Sequence, residues 1–185
     1  MTTISAKHIL DYSEILINEN IIDQTIKQLA EEIQCKLSGL ELHTFCIMNG
    51  GLYFAGQLLR HLNIPMHINY LHATRYKDNR PTDDLIWMQK PDPSLIENQD
   101  ILLIDDIFDE GATLEAIVNS CKGFKARSIH SVVLINKQHN RKPISGFEPD
   151  FIGLPVEDRY IFGCGMDYKG LWRNLPSIYA VKENC

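Results

Sequence analysis

The segment Ile101–Leu114, which reads ILLIDDIFDEGATL, constrains the fold of this chain more than any other segment. Its first four residues, 101–104, are all apolar, which is typical of a short strand buried on both faces of a sheet. Apolar residues then recur at helical spacing: Leu114, Ile117, Val118 and Cys121. Gly123 is expected to end that helix. The segment therefore predicts a strand, an acidic edge, a turn of small residues and a helix.

The acids of this segment favour a particular class of ligand. Asp105 and Asp106 follow the predicted strand, and Asp109 opens the turn that contains Gly111 and Thr113. Open α/β sheets bind ligands beyond the carboxyl ends of their strands, and a helix N-terminus suits a phosphate. A pair of carboxylates suits Mg²⁺ or the hydroxyl groups of a sugar. We therefore expect a site for a phosphorylated sugar. A nucleoside triphosphatase would need a GxxxxGK[ST] loop, which the chain lacks, and a receiver domain would carry its acid pair near its start.

Composition limits the other possibilities. The 185 residues are 44% hydrophobic, which suits a single domain over residues 1–185 with a sizeable core. The net charge of −6, with no basic cluster larger than Arg141-Lys142, argues against nucleic-acid binding. No apolar run is long enough to cross a membrane, and no signal-peptide core is present. The five cysteines form no CxxC pair, which predicts reduced thiols, a cytoplasmic location and no zinc site.

Hydrophobic spacing predicts several further elements. The apolar spacing of residues 19–37 predicts an amphipathic helix, and Gly39 is expected to stop it. A second helix follows the turn Asn49-Gly50-Gly51, and its inward positions are Leu52, Ala55, Leu58, Leu59 and Leu62. Core strands are expected at Thr44–Met48, Met66–Leu71 and Ser128–Asn136.

Two segments permit more than one interpretation from their residues alone. The turn Asn49-Gly50-Gly51 joins a strand to a helix, so it is either a second anion site or a plain connection. The segment 72–100 has little regular pattern, and long irregular segments are often lids over an active site. Part of it could instead form a two-stranded hairpin around Asn79-Arg80-Pro81.

Residues Ile101–Thr113 resemble the phosphoribosyl-pyrophosphate (PRPP) signature of type I phosphoribosyltransferases, in which a hydrophobic strand precedes two acids and D-x-G-x-T. The residues from about 40 to 180 are similar to hypoxanthine-guanine phosphoribosyltransferases. This resemblance implies an α/β fold with a central, mostly parallel sheet flanked by helices. It also implies a core over about 40–145 and a small hood subdomain built from about 1–18 and 148–185. The family is usually dimeric or tetrameric, which implies a homodimer or homotetramer.

The resemblance also implies roles for individual residues. Met48-Asn49-Gly50-Gly51 is similar to the pyrophosphate-binding turn, which often contains a non-proline cis peptide; whether the Asn49–Gly50 bond is cis is left open. Lys137 matches the lysine that binds the 6-oxo group of the purine. By their order after Glu148-Pro149-Asp150-Phe151, four further residues match the purine-stacking, purine-edge, Mg²⁺-binding and pyrophosphate-binding positions: Tyr160, Ile161, Asp167 and Arg173. In the lid, Arg75-Tyr76 takes the place of the family's Ser-Tyr pair.

The implied reaction is purine salvage, the Mg²⁺-dependent transfer of phosphoribose from PRPP to N9 of hypoxanthine or guanine, which gives IMP or GMP and pyrophosphate. Asp109 is the expected general base. The amides of the turn are expected to bind the 5′-phosphate: Glu110, Gly111, Ala112 and Thr113. Asp105 and Asp106 are expected to hold the ribose hydroxyls or a metal ion. In this chain Glu110 and Ala112 depart from the family's usual D-T-G-K/R-T, which predicts weaker PRPP binding.

Two other functions are compatible with the sequence. A regulator that senses PRPP or nucleotides could use the same fold, although the missing basic face argues against nucleic-acid partners. A phosphoribosyltransferase for xanthine or a pyrimidine is the second alternative. Lys137 and Tyr160 favour an oxopurine, but they do not separate bases that differ at C2.

Overall fold

The computed structural model of the chain describes residues 6–77 and 80–182, with the backbone alone at 75–77 and 80–85. Its main feature is a six-stranded sheet in the order β4-β3-β2-β5-β6-β7. All neighbouring strands in this sheet are parallel except β3 and β4. Helices cover both faces, so the expected α/β fold with a mostly parallel central sheet is confirmed.

The strands are β1 (Ser13–Ile17), β2 (Leu42–Met48), β3 (Met66–Lys77), β4 (Arg80–Gln89), β5 (Asp100–Phe108), β6 (Ser128–Gln138), β7 (Phe151–Glu157), β8 (Ile161–Phe162) and β9 (Ile178–Val181). The helices are α1 (Glu19–Leu37), α2 (Gly51–Leu59) and α3 (Ala112–Gly123), with short 3₁₀ helices at Ala6–Tyr12 and Pro93–Leu95.

Strand β5 lies between β2 and β6 in the sheet, and its apolar run explains this position. Residues Ile101 to Ile104 are fully buried, with α1 and α2 packed on one face of the sheet and α3 on the other. β5 is longer than the apolar run predicts, because its backbone continues to pair with β6 as far as Phe108. Asp105 and Asp106 therefore lie within the last part of the strand and not beyond its end.

Helix α1 spans the residues that the apolar spacing predicts. Its inward positions are buried against the sheet: Ile22, Ile26, Leu29, Ile33 and Leu37. The Asn18 side chain accepts a hydrogen bond from the Ile21 N–H at 3.1 Å and so caps the N-terminus. After the C-cap at Ser38, Gly39 has a φ of +86°, a conformation that favours glycine, so the predicted end of this helix is confirmed.

The other two helices differ from the predictions in detail. Leu52 is 57% exposed and does not face the core, since Phe54 takes the buried place in the first turn of α2. Leu62 lies beyond the end of α2. Gly123 is the last residue of α3, and the left-handed residue that follows the helix is Lys125, with a φ of +60°.

The segment after Leu71 forms an antiparallel pair at the edge of the sheet. β3 continues to Lys77 and pairs with β4, so a two-stranded hairpin is present. Residues 78–79 lie outside the described residues, and so does the side chain of Tyr76.

A second, antiparallel sheet has the order β1-β9-β8 and joins the two ends of the chain. Arg159 links them further, because its Nη2 atom lies 2.7 Å from Glu14 Oε1. Phe151–Glu157, which was expected in the hood, instead pairs with β6 and forms the far edge of the large sheet.

Within the part of the chain that the structure describes, no helix has the length and apolar character needed to span a membrane.

Candidate active site

A cavity of about 670 Å³ opens at the carboxyl ends of β2, β3 and β5. Several residues that the sequence assigned to the site lie on its wall: Asn49, Gly50, Asp105, Asp106, Asp109, Glu110, Gly111, Ala112, Thr113 and Arg173. Five further residues assigned to the site, with side chains or glycine backbone fully described, do not line this cavity: Gly51, Lys137, Tyr160, Ile161 and Asp167. The cavity collects groups from four separate parts of the chain, because parallel strands end at one edge of the sheet.

The acid pair lies at the floor of this cavity. The Asp106 N–H donates to Asp105 Oδ1 at 3.0 Å, and Asp106 is 7% exposed. Burial raises the pKa of Asp105 well above its usual value, and the neighbouring Asp106 carboxyl raises it further. Burial also raises the pKa of Asp106, although nearby Arg173 lowers it in part. Asp106 is buried and Asp105 is partly buried, and this pair of acids with raised pKa values forms a place where a cation or hydroxyl donors would be favourable.

The turn after β5 presents backbone amides to the cavity. Gly111 is the N-cap of α3 and has a φ of +77°. A Cβ atom at this position would lie 2.3 Å from the Phe108 ring, so both conformation and space require glycine. Ala112 and Thr113 open the helix, whose first N–H groups have no partner within the helix. This arrangement suits an anion at the helix N-terminus.

Asp109 is held by two side chains from the end of β6 and the residues after it. Lys137 Nζ donates to Asp109 Oδ2 at 2.9 Å, and His139 Nε2 lies 2.6 Å from Asp109 Oδ1. Burial raises the pKa of Asp109, but the hydrogen bonds from Lys137 and His139 outweigh that effect and leave the pKa below its usual value. Asp109 is therefore a carboxylate at neutral pH.

The residues 139–142 also supply cations to the acidic turn. Lys142 Nζ donates to the carbonyl oxygens of Phe108 and Asp109 at 2.7 Å each, and it lies 4.2 Å from the centre of the Phe108 ring. Arg141 Nε lies 3.6 Å from Glu110 Oε1. Glu110, an unfavourable acid beside an anion site, thus has the Arg141 guanidinium group next to it. Ala112 carries no charge, and Arg141 and Lys142 supply positive charge to the turn instead.

Sequence reasoning missed the roles of His139, Arg141 and Lys142. The signal in the sequence is Arg141-Lys142, the largest basic cluster of the chain. These residues lie about thirty positions from the turn that they contact, and local spacing carries no information about such contacts.

The turn after β2 makes close contacts with the acid pair. The cis peptide bond of this turn links Met48 to Asn49. It lies one position before the Asn49–Gly50 bond, for which the sequence left the cis conformation open. A Cβ atom on Gly50 would lie 2.1 Å from Asp106 Oδ2, and one on Gly51 would lie 2.6 Å from the Ile104 carbonyl oxygen. Both glycines are therefore required by space.

The segment between β8 and β9 contributes Arg173 and Asp167, which bind one another. Arg173 Nη2 lies 2.5 Å from Asp167 Oδ1, and the Gly170 N–H donates to Asp167 Oδ2 at 2.7 Å. Arg173 Nη1 also donates to the Gly165 carbonyl oxygen at 2.7 Å. The guanidinium group thereby reaches the cavity wall from a rigid turn.

The candidate purine-binding residues differ in exposure. Tyr160 is 55% exposed, and its hydroxyl donates to the Asp167 carbonyl oxygen at 3.3 Å. Ile161 is 6% exposed within β8. The Lys137 side chain is 12% exposed and is already engaged by Asp109.

The lid candidates Arg75 and Tyr76 have side chains outside the described part of the chain. Their backbone belongs to β3, whose residues His72, Ala73 and Thr74 line the cavity. The backbone of Arg75 and Tyr76 therefore continues directly from residues that line the cavity.

The donor set suits Mg²⁺ that is held jointly with a phosphate-containing ligand. Within residues 6–77 and 80–182, no group of three or more acidic, histidine or cysteine side chains is arranged to hold a metal ion. The paired oxygens of Asp105 and Asp106 are hard ligands, and Mg²⁺ commonly binds through one or two carboxylates together with substrate phosphates and water. The residues therefore fit this ion.

Comparison with known proteins identifies the family. The phosphoribosyl transferase domain matches residues 11–168. The chain belongs to the phosphoribosyltransferase family. It is 30% identical to the hypoxanthine-guanine phosphoribosyltransferase of Bacillus subtilis over 172 residues, which covers 93% of this chain and 94% of that protein.

Solved structures agree with this assignment. A hypoxanthine phosphoribosyltransferase from Staphylococcus aureus superimposes with a TM-score of 0.84 at 28% identity, covering 97% of this phosphoribosyltransferase and 96% of that chain. A hypoxanthine-guanine-xanthine phosphoribosyltransferase matches with a TM-score of 0.75 at 28% identity, covering 92% and 94%. The resemblance inferred from the motifs is confirmed, and the chain is an enzyme of the hypoxanthine-guanine phosphoribosyltransferase type.

Proposed function

We propose that this phosphoribosyltransferase transfers the 5-phosphoribosyl group of PRPP to N9 of hypoxanthine or guanine, giving IMP or GMP and pyrophosphate. The observation that carries the proposal is the convergence of the acid pair, the 109–113 turn and the Asn49–Gly50 turn on one cavity of about 670 Å³. Such a cavity can accommodate a phosphorylated sugar and a base together.

Each part of the cavity has a place in PRPP binding. The amides of the helix α3 N-terminus, from Glu110 to Thr113, would bind the 5′-phosphate. Asp105 and Asp106 would accept hydrogen bonds from the ribose hydroxyls and fix the position of C1. The amides of the Asn49-Gly50-Gly51 turn and the guanidinium group of Arg173 would stabilise the negative charge on the leaving pyrophosphate.

Mg²⁺ is the proposed cofactor, with two separate candidate positions: one at Asp105 and Asp106, and one at Asp167 beside the pyrophosphate. When bound, this ion would neutralise part of the charge on pyrophosphate. Arg173 engages Asp167 Oδ1, and Asp167 would act as a ligand through its remaining lone pairs or after the arginine moves to the pyrophosphate. The two roles are therefore compatible in one complex.

Proton transfer would involve Asp109. The bond between C1 and the pyrophosphate oxygen breaks, N9 of the purine forms the new bond to C1, and the proton on N7 passes to the Asp109 carboxylate. Lys137 has three N–H donors, so it can keep its bond to Asp109 while a second donor binds the purine 6-oxo group. Adenine carries an amino donor at this position and would be rejected.

Binding of the base and exclusion of water would fall to the hood and the lid. Tyr160 would stack on the purine, and the Ile161 backbone would contact its edge. Arg75 and Tyr76 would close over the reacting atoms and prevent hydrolysis of PRPP. We further propose a cytoplasmic enzyme that assembles as a homodimer or homotetramer, with no nucleic-acid or membrane partner.

Xanthine is the second candidate base. One structural relative, 28% identical to this chain, is named for hypoxanthine, guanine and xanthine together. Xanthine shares the 6-oxo group and differs at C2, so the proposed contact with Lys137 does not discriminate against it.

The test is pyrophosphate release from PRPP and Mg²⁺ with hypoxanthine, guanine, xanthine, adenine or uracil added separately. We expect turnover with hypoxanthine or guanine and none with adenine or uracil. Asp109→Asn should lower kcat by about 10²- to 10⁴-fold. The matched control is Glu97→Gln, which removes an exposed acid just before β5. It lies at the amino end of that strand, whereas the cavity lies at the carboxyl end.

Two results would contradict the proposal. If no base gives turnover while PRPP still binds, the chain is a PRPP sensor and not a transferase. If Asp109→Asn and Glu97→Gln retain equal activity, Asp109 is not the base.

A further inference from the structure

His139 is a buried side chain that the proposed reaction does not use. It follows β6, and its side chain is only 4% exposed although it lies in a loop. Its Nε2 atom lies 2.6 Å from Asp109 Oδ1, and its Nδ1 atom accepts a hydrogen bond from the Arg141 N–H at 3.1 Å. Both ring nitrogens therefore have partners.

These two partners define the tautomer of His139. The backbone N–H of Arg141 can only donate, so Nδ1 must be the acceptor and carry no hydrogen. The hydrogen of a neutral imidazole then resides on Nε2, where it points at the Asp109 carboxylate. His139 is thus a donor to Asp109, and it cannot take a proton from Asp109 because Nε2 already carries one.

Asp109 is consequently held at both of its oxygens. Lys137 donates to Oδ2 at 2.9 Å, and His139 donates to Oδ1. Two donors on opposite oxygens fix the rotation of the planar carboxyl group, while each oxygen keeps a second lone-pair direction for a proton from the substrate. Asp109 lines the cavity, so the free direction is available there.

We propose that His139 is a positioning residue that orients the Asp109 carboxylate toward the substrate through the Nε2–H hydrogen bond. This inference rests on the proposed function, in which Asp109 accepts the purine proton. His139 contacts Asp109 and not the reacting atoms, so its effect on the reaction passes through Asp109.

Other charged groups also lie near the pair formed by His139 and Asp109. Lys137 and Lys142 lie on the side of β6 and the loop that follows it, and Glu110 is the next residue along the turn. Arg141 lies between Glu110 and Asp158, with its Nη1 atom 2.8 Å from Asp158 Oδ2. These charged side chains are unchanged when only position 139 is changed. His139→Leu removes two hydrogen bonds, the one to Asp109 and the one from the Arg141 N–H, so a second variant that keeps a donor to Asp109 is needed to separate them.

The kinetic test compares two substitutions. His139→Leu has similar bulk and no donor, whereas the side-chain amide of His139→Gln can donate from about the position of Nε2. His139→Leu should lower kcat by about 10-fold, with little change in KM for either substrate, because a charge-assisted hydrogen bond to the base is lost. His139→Gln should recover most of kcat. In an Asp109→Asn background, His139→Leu should cause no further loss.

A second measurement does not depend on turnover. Titration of the Asp109 carboxyl carbon by ¹³C NMR should give a pKa about one unit higher in His139→Leu than in the wild type, because a donor to the charged form is lost. His139→Gln should remain near the wild-type value. Thermal denaturation confirms folding, and if the leucine variant is unfolded, His139→Asn replaces it, since its shorter amide does not reach Asp109.

The outcomes separate the two proposals. Absence of turnover in the wild type would contradict the proposed function, and the NMR titration would still decide the role of His139. Equal Asp109 pKa values in the wild type and His139→Leu would overturn the inference, as would an equal loss of activity in the glutamine and leucine variants.

Discussion

Arg173 Nη2 lies 2.5 Å from Asp167 Oδ1, so the candidate pyrophosphate contact and the candidate metal ligand form an ion pair. The guanidinium group is also tied to the Gly165 carbonyl oxygen, and Asp167 to the Gly170 N–H. A pyrophosphate group that draws Arg173 away from Asp167 would leave a carboxylate oxygen without its cation. In that case the binding of an anion at Arg173 would favour the binding of a cation at Asp167.

Arg173→Gln should raise KM for PRPP by about 10- to 100-fold, because one charge-assisted hydrogen bond contributes about 1.5–3 kcal/mol. KM for the purine should change much less. Arg60→Gln is the matched control, since this exposed arginine follows α2 and lies outside the cavity lining. Initial rates over a range of PRPP concentrations give the comparison. An unchanged KM for PRPP in Arg173→Gln would exclude the arginine from pyrophosphate binding.

Asp105→Asn should raise Tm by about 2–4 °C in buffer without Mg²⁺, because it relieves a buried charge beside Asp106. The same change should abolish the increase in Tm that PRPP and Mg²⁺ together cause in the wild type. Differential scanning fluorimetry with and without both ligands measures the two effects. Glu97→Gln should respond to the ligands as the wild type does. Ligand-induced stabilisation that persists in Asp105→Asn would show that this acid does not hold the ribose or a metal ion.

Alanine substitutions at three glycines can distinguish the cost of a strained backbone conformation from the cost of steric overlap. Gly165 has a φ of +105°, and a Cβ atom there would lie 2.0 Å from the Gly50 carbonyl oxygen. Gly170 has a φ of +83° with nothing within 4 Å of such an atom, and Gly56 lies in α2 with open space around it. Gly170→Ala should therefore cost about 1–2 kcal/mol of unfolding free energy, and Gly56→Ala should gain about 0.5–1 kcal/mol.

Gly165→Ala should cost clearly more than Gly170→Ala, and it should also reduce activity because the contact lies at the cavity wall. Urea unfolding of the three variants measures the free energies. Equal costs at positions 165 and 170 would mean that the segment around Gly165 moves away from Gly50 without a cost in free energy.

The buried carboxylate of Asp100 should make the free energy of unfolding decrease in acid. The hydrogen bond from Arg127 is the largest influence on its pKa and, together with Ser128, holds that pKa below the usual value despite burial. The unfolded chain has the ordinary pKa, so this group stabilises the folded state fully above that value. The contribution is lost as the pH falls through the lower, folded-state pKa.

The unfolding free energy should therefore decrease as the pH falls from about 5 toward 3, in part because of Asp100. Asp100→Asn should be less stable than the wild type at pH 7, and the difference between them should shrink in acid. Urea unfolding at several pH values tests this. A difference that is constant with pH would contradict the assignment.

The sequence alone predicted the parts of this fold that depend on local spacing. The apolar run of β5, the helical periodicity of α1 and the glycine after it all occur where expected. The strand-and-turn patterns also indicated that the acids after Ile104 and the Asn49-Gly50 turn lie at one edge of the sheet, because the carboxyl ends of parallel strands meet there. The assigned residues Lys137, Tyr160, Ile161 and Asp167 do not line the cavity.

Contacts between distant residues were not predictable in the same way. The position of Asp105 inside β5 depends on pairing with Val133 of β6, which no pattern within the segment reveals. Leu52 matched the helical spacing, yet Phe54 occupies the core because the orientation of α2 is set by the sheet beneath it. The donors to Asp109 lie 28 and 30 residues away, and only the folded chain brings them together.

The residues from His139 to Lys142 also limit how this chain can vary in length. Surface loops usually accept insertions and deletions with little effect. Here His139, Arg141 and Lys142 contact the acidic turn at successive points: the Asp109 side chain, the Glu110 side chain, and the carbonyl oxygens of Phe108 and Asp109. A residue added or removed between His139 and Lys142 would change the spacing of these contacts and displace at least one of them. We therefore expect this loop to tolerate substitution far better than a change in length, whereas the connection at Ser145–Gly146, farther along the same loop, can absorb insertions.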